Sequence, residues 1–225
     1  MPRSPERIVL VTGAAGGMGA EVARRLAAVD SHVIVNYRDD AARADSIAAA
    51  ISNAGGHAST LGGDIFDEAG AAAMIGSVAA RFGRLDTVIL NASGGIDLGG
   101  DAAHARHLNR EAQRRLSLLA MPLMPAGGRI VFVTSHQAHF FPQKAVPKGY
   151  AVVAASEYAG ETALYALRSE FDRNGLHFSV VSGDMIDRGH SPVCNDFAAA
   201  IVTAATAPNP PGVVYVGGAD CVKAA

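Results

Sequence analysis

The chain has 225 residues, of which 49% are hydrophobic and 18% are charged, and its formal net charge is −2. This length is typical of one domain with a sizeable core, and the near-neutral charge disfavours nucleic acid as a partner. Cys194 and Cys221 show no zinc-binding or redox spacing, so we expect reduced thiols. The apolar run after Arg7 is much shorter than the about 20 residues of a membrane span, which predicts a soluble, cytoplasmic protein without membrane contact.

Short β-branched segments alternate along the chain with Ala-, Arg- and Glu-rich segments of helical periodicity. Such alternation indicates an α/β protein in which helices cover both faces of a parallel sheet. The predicted strands are Ile8–Thr12, His32–Asn36, Ala58–Leu61, Thr87–Asn91, Arg129–Thr134, His177–Ser182 and Val213–Val216. The predicted helices are Met18–Val29, Ala41–Asn53, Glu68–Phe82, Ala102–Leu119, Val152–Asn174 and Asp196–Ala207. No linker or repeat divides the chain, so we expect one domain over residues 1–225.

A glycine-rich segment follows the first predicted strand and opens the first predicted helix. Glycines let the backbone turn tightly and approach a pyrophosphate, whose charge the helix N-terminus stabilises. Glycines also occur in ordinary turns, but the position between a strand and a helix favours a dinucleotide site. We therefore expect cofactor contacts from Thr12, Gly13, Ala15, Gly17, Met18 and Gly19.

The spacing Thr-Gly-x3-Gly-x-Gly resembles that of the short-chain dehydrogenases/reductases, and further segments resemble the family in the same order. Asn109 matches the family's helix asparagine, Ser135 its catalytic serine, and the segment 213–218 its closing strand. The resemblance implies a doubly wound Rossmann fold with a seven-stranded parallel sheet, assembled as a homodimer or homotetramer. It also implies cofactor contacts from Asp64, Ile65, Asn91, Ala92, Ser93, Gly183, Met185 and Ile186.

The end of the second predicted strand indicates which nicotinamide cofactor is bound. An acid at this point accepts hydrogen bonds from the ribose of NAD, whereas a cation pairs with the extra phosphate of NADP. Tyr37 stands at the usual acid position and Arg38 follows it, which favours NADP(H). The alternative is that Asp39 and Asp40 neutralise Arg38 as an ordinary surface residue.

In the family that this chain resembles, a tyrosine donates a proton, a serine holds the carbonyl oxygen, and a lysine one turn later lowers the pKa of the tyrosine. Alignment with the family's Ala-Ser-Lys places Glu157 at the lysine and Val153 at the tyrosine. Tyr150 lies three residues before Val153, within reach of the same site. The segment resembles that of a divergent group of reductases, which reads Tyr-x-Pro-Val-Ala-x-Ser-Lys. In this chain Glu157 stands in place of the lysine.

Three hypotheses follow, because an anion beside a phenol raises the pKa of the phenol and cannot replace a lysine. In the first, Tyr150 donates the proton, and the role of the lysine is either lost or taken over by Lys144 or Lys148. In the second, Ser135 holds the carbonyl and the proton comes from water, the substrate's hydroxyl, His136, His139 or Glu157. In the third, the chain binds nucleotide without redox chemistry.

The remaining features refine the predicted function. His104 and His107 lie one turn apart without a third ligand, so we expect no metal ion. The nearby arginines 106, 110, 114 and 115 indicate a solvated or subunit-pairing helix face. The short segments after Gly183 and Asn91 predict an open cleft for a bulky polycyclic or polyketide ketone. We therefore predict an NADP(H)-dependent ketoreductase for a small-molecule carbonyl or alcohol, with Ser135, Tyr150 and Asn109 as its catalytic residues.

Overall fold

A computed structural model describes residues 7–27, 30–92, 102–147, 149–184 and 192–217. Within these ranges all seven predicted strands are present, with ends that differ from the prediction by a residue or so. The strands are β1 (Arg7–Val11), β2 (Ser31–Tyr37), β3 (His57–Gly62), β4 (Thr87–Leu90), β5 (Arg129–Ser135), β6 (His177–Gly183) and β7 (Val213–Val216).

The strands form one parallel sheet in the order β3-β2-β1-β4-β5-β6-β7. The register pairs Val9 with Val33 on one side of β1 and with Thr87 on the other. The chain order of the strands reverses between β1 and β4, so the loops after these two strands leave in opposite directions and open a crevice at their carboxyl ends. The predicted α/β class with a seven-stranded parallel sheet is confirmed.

Helices cover both faces of the sheet. They are α1 (Gly17–Leu26), α2 (Ala41–Asn53), α3 (Glu68–Phe82), α4 (Ala102–Ala120), α5 (His136–His139), α6 (Ala151–Ala166), α7 (Arg168–Arg173) and α8 (Pro192–Thr206), with a short 3₁₀ helix at Met121–Leu123. The prediction that the first helix reaches Val29 falls partly outside the described residues, and α1 ends at Leu26. The last helix begins at Pro192 rather than at the predicted Asp196.

The structure differs from the prediction in the segment after β5. The single helix predicted over Val152–Asn174 is divided at Leu167, whose N–H donates to the Leu164 carbonyl at 3.0 Å, three residues back. This tighter turn buries Leu167 in the core, where it is 6% exposed. Residues 136–139, to which the sequence assigned no helix or strand, form a helical turn, because the Ser135 hydroxyl caps it by accepting from the Ala138 N–H at 3.2 Å.

The core has two apolar layers, one on each face of the sheet. Along β1, Ile8 and Leu10 contribute to the layer under α3, α4 and α6, while Val9 and Val11 contribute to the layer under α1, α2 and α8. Burial of each such side chain stabilises the fold by about 1.5–3 kcal/mol. The sheet is therefore rigid where its carboxyl ends carry polar groups. None of the helices in the described ranges is long and apolar enough to cross a membrane.

Helix α1 approaches the sheet through Gly19. A Cβ built on Gly19 would lie 2.6 Å from the Asn91 Nδ2 and 2.6 Å from the Gly13 carbonyl oxygen. Real Cβ atoms do not tolerate such distances, so a glycine is required here by close packing and not by backbone conformation.

We expect Gly19→Ala to lower the free energy of unfolding by about 1–3 kcal/mol, because the added methyl group overpacks the contact with Asn91. Gly76→Ala is the matched control, since Gly76 lies within α3 and its Cβ would meet no atom within 4 Å. Gly76→Ala should raise the free energy of unfolding by about 0.5–1 kcal/mol. Urea unfolding of both variants measures the difference, and equal stabilities would contradict the close approach of α1.

Candidate active site

A cleft of about 380 Å³ opens at the carboxyl ends of β1, β2 and β4. It lies where the strand order reverses, which is where open α/β sheets bind ligands. The residues that line it are Gly13, Ala15, Asn36, Tyr37, Arg38, Asp39, Asp40, Gly63, Asp64, Ile65, Phe66, Asn91 and Ala92.

The glycine loop forms one wall of the cleft. Gly13 has a φ of 62°, in the left-handed region that favours glycine. Its N–H donates to the Asn36 Oδ1 at 3.1 Å, and the Asn36 Nδ2 donates to the Gly63 carbonyl at 3.0 Å. Asn36 is 2% exposed and thus ties the loop to the chain after β3. Sequence reasoning missed this role, which depends on residues far apart in the chain.

Helix α1 points its N-terminus into this loop. Gly16 caps the helix without a side-chain hydrogen bond, so the first N–H groups of α1 are not bonded by a capping side chain. Such groups and the helix dipole together stabilise a phosphate. The structure brings most of the predicted cofactor residues to this cleft or loop; Ser93, Met185 and Ile186 lie outside the described residues.

Two cations lie beside the cleft. The Arg38 Nε donates to the Asp39 Oδ2 at 2.5 Å, so the competing acid foreseen in the sequence does bind this arginine. The side chain of Arg38 is nevertheless 52% exposed and open to a second partner. Arg43, which sequence reasoning missed, lies over the glycine loop: a Cβ built on Gly16 would be 2.9 Å from its guanidinium carbon.

The second part of the site lies at the end of β5. The Ser135 hydroxyl donates to the Glu157 Oε2 at 3.1 Å. Tyr150 immediately precedes α6 and Glu157 follows it by seven residues, so two turns of helix place both on one face. Gly183 pairs with Ser135 across β5 and β6, and a Cβ on it would lie 2.8 Å from the Phe197 ring.

Burial governs the protonation of these groups. Burial raises the pKa of the Glu157 carboxyl to about 7, hydrogen bonds with Ser135 lower it, and the negative charge of Glu161 raises it. Burial also raises the pKa of the Tyr150 phenol, and so does the charge of Glu157, while a hydrogen bond with Ser135 partly offsets both. Glu157 therefore carries a proton in a large fraction of molecules at neutral pH.

Asn109 lies behind this cluster, in the contact between α4 and α6. Its Nδ2 donates to the Ser156 Oγ at 3.2 Å, and its Oδ1 accepts from the Gln113 Nε2 at 3.0 Å. It is 1% exposed. The structure thus gives the Asn109 side chain a packing role, and its catalytic role stays a prediction.

The other predicted proton-transfer residues differ in their surroundings. His136 is 1% exposed, with Nδ1 2.8 Å from the Ser182 hydroxyl and Nε2 3.2 Å from the Val216 carbonyl, so both ring nitrogens are engaged. The Lys144 Nζ lies 4.2 Å from the centroid of the Phe140 ring. Lys148 lies outside the described residues.

His139 belongs to a chain of contacts that sequence reasoning did not foresee. Its Nδ1 is 2.7 Å from the Glu161 Oε1, and its Nε2 is 2.9 Å from the Tyr215 hydroxyl. Glu161 lies one turn beyond Glu157 on α6 and is 2% exposed. The spacing of two acids four residues apart was the available signal, but the same spacing is common on solvated helices.

No group of three potential metal ligands occurs among the described residues, and His104 and His107 belong to none.

Arg115 donates to the Ile65 and Phe66 carbonyls at 3.3 and 3.2 Å, so it packs within the subunit. The Arg115 side chain is still 22% exposed, and a solvated or subunit-pairing role of this helix face stays a prediction.

A parallel sheet whose strand order reverses beside a glycine-rich loop defines a dinucleotide-binding fold. The model of the family described as short chain dehydrogenase matches residues 7–191, and the chain belongs to this family. The 1-cyclohexenylcarbonyl-CoA reductase of Streptomyces collinus is 31% identical over 192 residues, which cover 80% of this chain and 65% of that protein. The chain thus spans slightly less than two thirds of this curated relative.

Two solved structures share the fold across nearly the whole chain. A promiscuous reductase that catalyses keto-reduction at C1 during lugdunomycin biosynthesis has a TM-score of 0.81 and 23% identity, and the match covers 99% of this chain and 100% of that chain. The landomycin C-6 ketoreductase with bound NADP and rabelomycin has a TM-score of 0.79 and 19% identity, with 96% of each chain covered.

The raised pKa of Glu157 makes stability depend on pH. The folded state keeps a proton that the unfolded chain releases above a pKa of 4.5, so this group lowers stability as pH rises from 4.5 through about 7. Glu157→Gln keeps a hydrogen-bonding side chain without the charge. It should raise the free energy of unfolding at pH 8.5 by on the order of 3 kcal/mol and change it little at pH 5.

Chemical denaturation of both proteins at the two pH values measures this effect. Glu170→Gln is the matched control, because the side chain of Glu170 is 38% exposed on α7. A wild type whose stability falls no more steeply than that of Glu157→Gln between pH 5 and 8.5 would contradict the buried acid.

Proposed function

We propose that the protein is an NADP(H)-dependent ketoreductase that reduces a carbonyl on a bulky small molecule, with a proton donor that differs from the Tyr-x-x-x-Lys arrangement. The observation that carries this proposal is the cluster of Ser135, Tyr150 and Glu157 at the same edge of the sheet as the nucleotide cleft. Two hydroxyls and a buried acid supply what carbonyl reduction needs from a protein, which is to hold and protonate the oxygen.

The cleft fits a dinucleotide phosphate by its shape and charge. The start of α1 offers N–H groups to a pyrophosphate, the positive φ of Gly13 turns the chain beneath them, and the close approach at Gly19 brings them to the sheet. Arg38 and Arg43 stand on the side where a 2′-phosphate would lie, and guanidinium groups form strong hydrogen bonds with phosphate. When bound, NADPH supplies the hydride. Two NADP-bound relatives of the same fold support this choice.

Glu157 takes part in proton transfer as a neutral acid and not as a substitute for lysine. The Tyr150 hydroxyl gives its proton to the substrate oxygen, Ser135 gives a proton to the tyrosine oxygen, and the Glu157 carboxyl gives one to Ser135. Each step breaks one O–H bond and forms another, so no charge stays on the phenol. Burial supports this role, because it keeps the carboxyl protonated near neutral pH.

The short segments flanking the site support a bulky substrate. The lugdunomycin reductase catalyses keto-reduction at C1, and the landomycin C-6 ketoreductase binds NADP and rabelomycin. Both share the fold of this chain, which supports a ketone as the substrate. Assembly as a homodimer or homotetramer in the cytoplasm stays a prediction from the sequence.

Arg38→Ala should abolish the preference for NADPH over NADH. The ratio of the two Kd values should change by about ten- to a hundredfold, because a charge-assisted hydrogen bond contributes about 1.5–3 kcal/mol. Titration of both nucleotides by fluorescence measures the ratio. Arg24→Ala is the control, since Arg24 is 48% exposed on α1 and pairs only with Glu21 among the described contacts. An unchanged ratio in Arg38→Ala means that another cation, with Arg43 as the first alternative, reads the phosphate.

NADPH oxidation tests the function itself. We expect turnover with phenanthrenequinone and emodin, and much slower turnover with acetone and cyclohexanone, because an open cleft gains apolar contact only with large rings. Turnover should fall as pH rises through about 7, when Glu157 loses its proton. Tight NADPH binding with no oxidation by any ketone would favour a nucleotide-binding protein without redox activity.

Variants of the cluster are the second arm of this test. Tyr150→Phe should lower kcat by about 10²- to 10⁴-fold, and Ser135→Ala by about 10²- to 10³-fold, with the Kd for NADPH unchanged. Tyr158→Phe, on the same helix, is the control. If Ser135→Ala impairs turnover while Tyr150→Phe leaves kcat near wild type, the tyrosine is not the proton donor.

A further inference from the structure

A chain of polar side chains runs from Glu157 away from Ser135 to the surface. Glu161 follows one turn later on α6, and its Oε1 lies 2.7 Å from the His139 Nδ1. The other nitrogen of that ring lies 2.9 Å from the hydroxyl of Tyr215 on β7. Glu161 is 2% exposed and Tyr215 is 42% exposed, so the chain connects the core with solvent.

No direct hydrogen bond is described between Glu157 and Glu161. The Glu161 Oε2 is buried and has no hydrogen-bond partner among the described residues. An acceptor left in this state is unfavourable, and two acids one turn apart repel each other when both are ionised. A proton on the Glu157 carboxyl removes this repulsion, while Glu161 keeps the negative charge that raises the pKa of Glu157.

We propose that Glu161, His139 and Tyr215 form a proton path that reloads Glu157 from solvent after each reduction. This inference rests on the proposed ketoreductase, in which Glu157 loses one proton for each ketone reduced by NADPH. The Glu161 carboxylate takes the Nδ1 proton of His139 and passes it to Glu157, which leaves Glu161 as the anion it was. The ring takes a proton at Nε2 from Tyr215, which regains one from water. Proton exchange between the ring and water restores the Nδ1–H tautomer before the next turnover, so one proton enters per turnover.

Titratable groups from several elements surround the acid pair. Tyr150 faces Glu157 from the residue before α6, and Tyr165 lies one turn beyond Glu161. Burial, followed by the charge of Glu161 and then that of Tyr215, raises the pKa of Tyr165 to about 12, while Arg168 lowers it. Burial and the charge of Glu161 likewise raise the pKa of Tyr215.

Neither Tyr165 nor Tyr215 therefore ionises near neutral pH. Tyr215 passes protons only by exchanging its hydroxyl hydrogen. His139 is the one ion-pair partner of Glu161 among the described residues. A path through a carboxylate, an imidazole and a phenol moves a proton to Glu157 and leaves the charge of Glu161 unchanged.

The first test removes the imidazole. His139→Gln should lower kcat with phenanthrenequinone by about 10²-fold, the low end of general-acid effects, and increase the solvent deuterium isotope effect. The Kd for NADPH and the Tm should stay unchanged, and added imidazole should restore turnover. His57→Gln, at an exposed position of β3, is the matched control. Unchanged kcat and isotope effect in His139→Gln would overturn the path.

Tyr215→Phe, at the exposed end, is the second variant should His139→Gln fold poorly. It should increase the isotope effect in the same direction, and an isotope effect equal to that of wild type would exclude Tyr215 from the path.

The second test needs no turnover, so failure of the path and failure of the ketoreductase are distinguishable. The Glu157 carboxyl carbon, identified by its loss in Glu157→Gln, is titrated by NMR. Its midpoint should fall in Glu161→Gln, because the charge of Glu161 raises the pKa of Glu157. The midpoint should stay unchanged in Glu170→Gln. Equal midpoints in wild type and Glu161→Gln would show that the two carboxyl groups are not coupled, which overturns the proposal even in an active enzyme.

Discussion

The hydroxyl of Thr12 holds the ends of β1 and β4 together. It donates to the Ile89 carbonyl at 3.2 Å and accepts from the N–H groups of Asn91 and Ala92 at 3.0 Å each. A hydroxyl is suited to this position because it donates one hydrogen bond and accepts two. Since Thr12 is fully buried at the point of strand reversal, the glycine loop turns away from a fixed base and the cleft keeps its shape.

The site combines this rigid frame with the buried acid Glu157, which accepts a hydrogen bond from Ser135. In water, a glutamate beside a tyrosine would be an anion and would oppose phenolate formation. Burial of Glu157 behind Ser135 raises the pKa of its carboxyl group to about 7. In the mechanism that we propose, this residue therefore supplies a proton through Ser135 instead of a positive charge beside the tyrosine.

The strands and the glycine loop were predictable because each is specified by residues that are close together in the chain. Apolar runs such as Ile8–Thr12 belong to strands buried on both faces, and glycines after a strand mark a tight turn into a helix. The bend at Leu167 and the helical turn at His136–His139 were not predictable in this way. One depends on how Leu167 fits the core and the other on a capping bond from Ser135.

By itself, the sequence determined the order of the elements, the position of the nucleotide cleft and the residues able to transfer a proton, since periodicity and turn chemistry act over a few residues. Only the tertiary structure decided which of those residues meet. Glu157 finds Ser135 across 22 positions, and His139 finds Glu161 across 22 and Tyr215 across 76. The protonation of Glu157 was decided there as well, because a carboxyl group keeps its proton near neutral pH only when packing removes it from water.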